Sequence, residues 1–225
     1  MIRNSFIISP LKSEFSFLTD AFIAGGLKAS DEMHGAIQIR RFPQLNLICA
    51  IGGHGKVQFG IQTQYLIHHF PGMQRIFCAG AAGGLARVKT FDVVVAERTV
   101  EHDYTERFDP APPPYFDGCK SSIEKMKVKI AAATFSFNTH FGLIASGDED
   151  IVTNERAFEL HEKTNALAVA WEGAGGARAC AFNDKPYVEI RGITDVADNN
   201  AAIDFRENLR AAMKNVSAVL MAMDG

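Results

Sequence analysis

The feature that most constrains this chain is a regular alternation of two kinds of segment. Apolar runs of strand length occur at Phe6 to Ser9, Gly35 to Arg40, Leu45 to Ile51, Arg75 to Ala79, Phe91 to Val100, Phe141 to Ala145, Ala166 to Ala170 and Tyr187 to Ile193. Segments with helical spacing lie between and after them, at Lys12 to Ile23, Gly55 to His69, Ser121 to Ala133, Glu155 to Lys163, Ala174 to Phe182 and about Asp204 to Met223. Strands that alternate with helices bury both faces of their sheet, which predicts an α/β protein: a three-layer α/β/α sandwich around a central mixed, twisted sheet. At 225 residues, 47% hydrophobic, the chain is long enough for one sizeable core and reads as a single domain over residues 1–225.

Composition removes several classes of function. A net charge of -3 with scattered lysines and arginines offers no basic stripe for a nucleic-acid polymer. No apolar run approaches the roughly 20 residues that span a bilayer, so no membrane partner is expected. The N-terminal Met1 to Ile8 is apolar only briefly before Ser9-Pro10, and reads as a first strand rather than a signal peptide. Cys49, Cys78, Cys119 and Cys180 are far apart, and three sit in apolar runs where cysteine acts as a small hydrophobe, which fits a reduced, cytoplasmic protein. His54 and His102 have no neighbouring His or Cys at ligand spacing; they read as scaffold or supporting residues, and no metal site or cofactor is expected.

Several segments carry chemical possibilities, each with a plainer alternative. Tyr104 to Cys119 holds Pro110, Pro112, Pro113 and Pro114 and is predicted to be a long loop without regular structure, either a lid or a subunit contact. Cys78 to Leu85, CAGAAGGL, follows a short strand and is either a tight turn or a cradle whose amides approach a ligand oxygen. Asp195, just past the last apolar run, stands where α/β proteins keep ligands, but a helix cap or turn would also use it. Glu14 is either a functional carboxylate or a favourable charge in the first turn of a helix. Glu172 precedes Gly173 to Ala177, a small-residue run that could serve close helix packing.

Arg191-Gly-Ile-Thr-Asp-Val-Ala-Asp198 resembles the purine-base signature of the nucleoside phosphorylase/nucleosidase superfamily. Ala81-Ala82-Gly83-Gly84 followed by Phe91-Asp-Val-Val-Val95 is similar to that superfamily's Gly-Ser/Thr-Ala-Gly-Gly and Gly-Asp-Ile-Val-Val segments. Ile7 to Glu14, His102-Asp103, Ser146 to Ile151 and Val169-Ala-Trp-Glu172 stand in the same order as motifs of the methylthioadenosine/S-adenosylhomocysteine nucleosidases. The resemblance implies a nucleoside phosphorylase-like fold and a homodimer in which a neighbour's loop closes the 5′ end of the site. It implies Asp195 as the residue that helps the purine leave, Glu14 as the one that activates water, and Glu172 as the one that holds the ribose hydroxyls. Trp171, Ala81, Gly83, Asp150 and Ile151 fall at substrate-binding positions. Cleaving an N-glycosidic bond builds positive charge on the sugar and negative charge on the base, so an acid near the base and carboxylates near the sugar fit it independently.

Three departures bear on the substrate. Ala81 removes a hydroxyl that phosphorylases use on phosphate, no arginine stands at the strand end before it, and Glu14 would repel a phosphate dianion. Asp150 replaces an aromatic residue and either accepts hydrogen bonds from a base, faces solvent or caps the helix near Thr153. Trp171 either narrows the space at the sugar or packs under the following helix. The expected function is therefore hydrolysis of a purine or 5′-modified nucleoside, a small-molecule substrate. A phosphorylase and a non-catalytic nucleoside binder are the alternatives.

Overall fold

The computed structural model describes residues 2–224. In chain order it contains β1 (Ser5–Ser9), α1 (Lys12–Ala24), β2 (Ser30–His34), β3 (Ile37–Phe42), a 3-10 turn (Pro43–Leu45), β4 (Leu47–Ile51), α2 (Lys56–His69), β5 (Arg75–Gly84), β6 (Val93–Glu101) and β7 (Tyr115–Asp117). There follow α3 (Lys120–Ala132), β8 (Thr139–Ser146), α4 (Asn154–Thr164), β9 (Ala166–Ala170), α5 (Gly173–Phe182), β10 (Tyr187–Asp195) and α6 (Ala201–Ala222). The strands form one mixed sheet in the order β10-β6-β8-β9-β5-β1-β4-β3-β2, with β7 paired to β6. Because β10 also pairs with β5, the strands β5, β10, β6, β8 and β9 close on themselves.

Strand side chains alternate between faces, and the core divides accordingly. Ile7, Cys49, Phe77 and Ala79 pack against Phe15, Leu18 and Phe22 of α1, Ile123 and Met126 of α3, and the apolar face of α6. Phe6, Ile8, Ile48, Ala50, Ile76 and Cys78 point the other way, onto Phe59, Leu66 and Ile67 of α2 and Ala177 and Cys180 of α5. These two helix layers with the sheet between them form the expected α/β/α sandwich. β1 reads Ser-Phe-Ile-Ile-Ser with every residue buried, as a strand covered on both faces requires.

Two expectations need correction. The glycine-rich Ala79 to Gly84 is not a turn but the second half of β5, paired to β10 from Ile190↔Ala79 to Asp195↔Gly83 and to β9 at Gly83↔Val169 and Gly84↔Ala168, and its Ala81 to Gly83 line the cavity described below. Glycine there provides room. A Cβ at Gly80 would lie 2.6 Å from the Arg191 guanidinium and 2.9 Å from a Glu14 oxygen, and one at Gly83 would lie 3.0 Å from an Asp195 oxygen. The proline-rich segment also ends in regular structure. Past Pro114, Tyr115–Asp117 adds an antiparallel strand to β6, because the prolines stop there and backbone donors become available. β2, Ser-Asp-Glu-Met-His, was not anticipated because it is a mostly exposed edge strand with no apolar alternation. It is held to β3 by Arg40–Asp31 and Arg41–Glu32 pairs.

Candidate active site

A cavity of about 370 Å³ gathers the C-terminal ends of β1, β4, β5, β8, β9 and β10. All eight residues singled out from the sequence line it: Glu14, Ala81, Gly83, Asp150, Ile151, Trp171, Glu172 and Asp195. Convergence on strand ends is the usual location of ligands in α/β sheets.

Asp195 is the last residue of β10 and is 6% exposed. Its Oδ2 accepts from the Thr194 hydroxyl at 2.8 Å and its Oδ1 from the Ala197 amide at 3.0 Å. Ala197 holds a left-handed φ of 54° that turns this amide back toward the carboxylate. Burial raises the pKa of Asp195 above the usual carboxylate range, and these two hydrogen bonds oppose it without cancelling it. It does not cap α6, whose N-cap residue is Asn200.

Glu14 sits at the third position of α1, where its Oε2 accepts from the N-cap amide of Leu11 at 2.7 Å. Its Oε1 accepts from the Ala81 amide of β5 at 2.7 Å, so the side chain turns inward from the helix end into the cavity. Burial, followed by the nearby charge of Glu172, raises its pKa to about 7, with Arg191 acting in the opposite direction. Glu172 follows β9, is 4% exposed, and receives Gly55 N–H and Arg191 Nη2, each at 3.3 Å. His54 Nδ1 lies 3.3 Å from the same Glu172 oxygen as Gly55. The Ser146 hydroxyl donates to Trp171 O at 2.8 Å and accepts Ala174 N–H at 2.9 Å, pinning the turn that carries Trp171 and Glu172.

Trp171 is half-buried and stacks on His54 with ring centroids 4.2 Å apart and planes at 24°. It faces the cavity rather than packing under α5. Ile151 is buried in the cavity wall, while Asp150 is exposed at its rim. The cap of α4 is Thr153, whose hydroxyl accepts Arg156 N–H at 3.3 Å, so Asp150 does not have that role.

Two important residues were missed. Arg191, 1% exposed, lines the cavity and is bonded through Nε to Glu189 at 2.8 Å, through Nη1 to Ala81 O at 3.2 Å and through Nη2 to Glu172. Glu189, fully buried, also accepts from Thr99 Oγ1 at 2.6 Å. The signal was present: opposite charges two residues apart in Tyr187-Val-Glu-Ile-Arg-Gly-Ile193 share one face of a strand otherwise apolar, and buried charges demand partners. No arginine precedes Ala81 on β5, but β10 supplies Arg191 from the neighbouring strand. Among the described residues no group of three or more His, Cys, Asp or Glu side chains is placed to hold a metal ion. His102 is buried beneath Gly147, with neither ring nitrogen hydrogen-bonded.

Comparison with known proteins identifies the family. The model of the phosphorylase superfamily matches residues 7–223. A 5′-methylthioadenosine/S-adenosylhomocysteine nucleosidase of Thermotoga maritima is 31% identical over 163 residues, 72% of this chain and 71% of the relative. The structure of a nucleosidase of the same name from Neisseria meningitidis, in complex with methylthio-immucillin-A, superposes with a TM-score of 0.85 at 25% identity, covering 98% of this chain and 97% of that one. Futalosine hydrolase of Helicobacter pylori superposes with a TM-score of 0.86 at 25% identity, covering 100% and 98%. With the family model matched across residues 7–223, this chain belongs to the phosphorylase superfamily.

Proposed function

We propose that this protein hydrolyses the N-glycosidic bond of a purine nucleoside, or of an adenosine-like nucleoside modified at its 5′ carbon, releasing free base and sugar. The observation that carries the choice of water over phosphate is the placement of Glu14. Its carboxylate occupies the Ala81 amide, the β5 donor that an anion in this part of the cavity would need. Arg191, the buried cation nearby, is already engaged by Glu189 and Glu172 and lies within the field of Glu14. Three carboxylates around one guanidinium leave the inner end of the pocket, beside Ala81, with no surplus positive charge for a phosphate dianion.

In this mechanism Asp195 carries a proton, a form that its burial favours, and delivers it to the leaving purine as the bond to the anomeric carbon breaks. Glu14 enters ionised and takes a proton from the water whose oxygen bonds to that carbon. Both groups then return to their starting states by exchange with solvent. A base with a pKa of about 7 is well matched to work near neutrality. Glu172, fixed by Arg191, accepts from the ribose hydroxyls and lends negative charge to the oxocarbenium-like sugar. Ile151 and Gly83 flank the base, and Asp150 accepts hydrogen bonds from N–H groups on its edge. Trp171 closes on the sugar.

The protein acts as one domain over residues 1–225, in the cytoplasm, and as a homodimer. Exposed Val57 and Ile61 of α2, continuous with Trp171 and His54, and the fully exposed Phe108 of the proline-rich loop support that assembly. A panel of purine nucleosides tests the enzymatic reading: free base should appear with the native protein and vanish with Asp195→Asn. A nucleoside that binds with no base released by the native protein would leave a binding module instead.

A further inference from the structure

Glu172 is the acceptor proposed above for the sugar hydroxyls, and the capacity it has left for them follows from what already surrounds it. A carboxylate offers about four acceptor sites, two on each oxygen. Beside Oε2 stands Arg191 Nη2 at 3.3 Å. Beside Oε1 stand two groups, the Gly55 N–H and His54 Nδ1, each at 3.3 Å. One oxygen therefore has both of its sites covered, and the other keeps one open.

The His54 ring is held over Oε1 from two sides. It lies in the turn between β4 and α2, where Gly53 and Gly55 on either side adopt φ of 84° and 82°. The Gly52 and Gly53 amides tie this turn to the end of β1, donating to Ser9 O and Pro10 O at 2.8 and 3.1 Å. The imidazole also stacks on Trp171, the residue before Glu172. A ring nitrogen this close to a carboxylate oxygen presents its N–H to it. The side chain is nonetheless 53% exposed, lining both the cavity and a surface groove beside α2, so the core does not depend on it.

A ribose presents two neighbouring hydroxyls, each a donor, to a carboxylate with one open site. We propose that His54 is a specificity-determining residue: acting through Glu172, it relaxes the demand for a complete 2′,3′-diol, so that nucleosides lacking one of these hydroxyls are also substrates. This rests on the nucleoside reading above.

The test measures kcat/KM for adenosine, 2′-deoxyadenosine and 3′-deoxyadenosine with the native protein, H54A and H54N, with calorimetric binding of the same three ligands in parallel. Dividing each deoxynucleoside value by that of adenosine in the same protein, and then comparing proteins, cancels the different intrinsic reactivities of the three glycosidic bonds. H54A uncovers the second site on Oε1, so its preference for adenosine over at least one deoxynucleoside should rise about tenfold above the native preference, the effect of one hydrogen bond to a charged group. H54N puts an amide N–H where Nδ1 stood and should restore the native ratios, which a residue acting only through its bulk or its stacking would not require. Unchanged ratios in H54A would overturn the proposal, as would ratios in H54N equal to those of H54A. Should the native protein cleave none of the three, the hydrolase reading fails while the binding series still decides this one: the affinity gap between adenosine and the deoxynucleosides must widen in H54A and not in H54N. Failure of all three to bind would overturn both.

Discussion

Where Arg191, Glu189, Glu172 and Glu14 meet, the relative exposures are 1%, 0%, 4% and 2%, and every one of these side chains is bonded to another of them or to a backbone group of the site. At the opposite rim, Asp150 is exposed and makes no hydrogen bond or ion pair among the described residues. The difference separates two jobs. Groups that handle bond cleavage are over-determined by mutual contacts, so their positions and ionisation are set before a ligand arrives. A rim residue without partners can change without disturbing the fold, which suits it to choosing among substrates.

The largest effect should come from breaking the buried side of this contrast at the acid. Asp195→Asn keeps the shape and its contact with Ala197 N–H but removes the proton, and kcat should fall by about a hundredfold to ten-thousandfold with little change in thermal stability. Arg191→Met should instead act mainly on folding. Removing the cation leaves Glu189 and Glu172 buried without their partner, a loss of about 3–5 kcal/mol measurable by urea denaturation.

Glu14→Gln separates stability from function. Its folded pKa of about 7 lies above the ordinary 4.5, so ionisation favours the unfolded chain. That penalty is absent below the unfolded value, develops as the pH rises between the two and is complete above the folded one. The glutamine variant should lose activity yet gain stability relative to the native protein as the pH rises from about 4 to about 8, by at most about 3 kcal/mol. The rate of the native enzyme should fall as acid protonates Glu14, with a midpoint near pH 7 that is absent from the residual activity of the glutamine variant. The smallest change is expected at the rim: Asp150→Asn should alter the relative kcat/KM for guanine, hypoxanthine and adenine nucleosides by a few-fold, about 1 kcal/mol or less, with unfolding unchanged. Identical ratios would remove Asp150 from base selection.

How much of this was legible in the sequence depended on whether a signal was local. Strands such as Ala166–Ala170 and helices such as Lys12–Ala24 emerged close to their expected limits, because period and burial coincide in them. The glycine-rich half of β5 did not: glycine suggested a turn, while its actual use is to let Arg191, Glu14 and Asp195 approach the backbone, a constraint imposed for Arg191 and Asp195 by a strand, β10, more than a hundred positions away. β2 carried no apolar pattern at all, being an edge fixed by cross-strand ion pairs. At the site, all eight proposed residues reach one cavity, yet Glu189 and Arg191 passed as ordinary strand residues because their distant partners come from β5, β6 and the turn after β9. Trp171 left two placements open, and its stack on His54 joins segments far apart in the chain.

The central claim is that Glu14 directs water, not phosphate, to the anomeric carbon. The most direct test is to run the reaction in oxygen-18 water with and without inorganic phosphate and to identify the sugar product by mass. The account predicts free sugar carrying the label at its anomeric hydroxyl at a rate indifferent to phosphate. Unlabelled sugar 1-phosphate, formed only when phosphate is present, would contradict it.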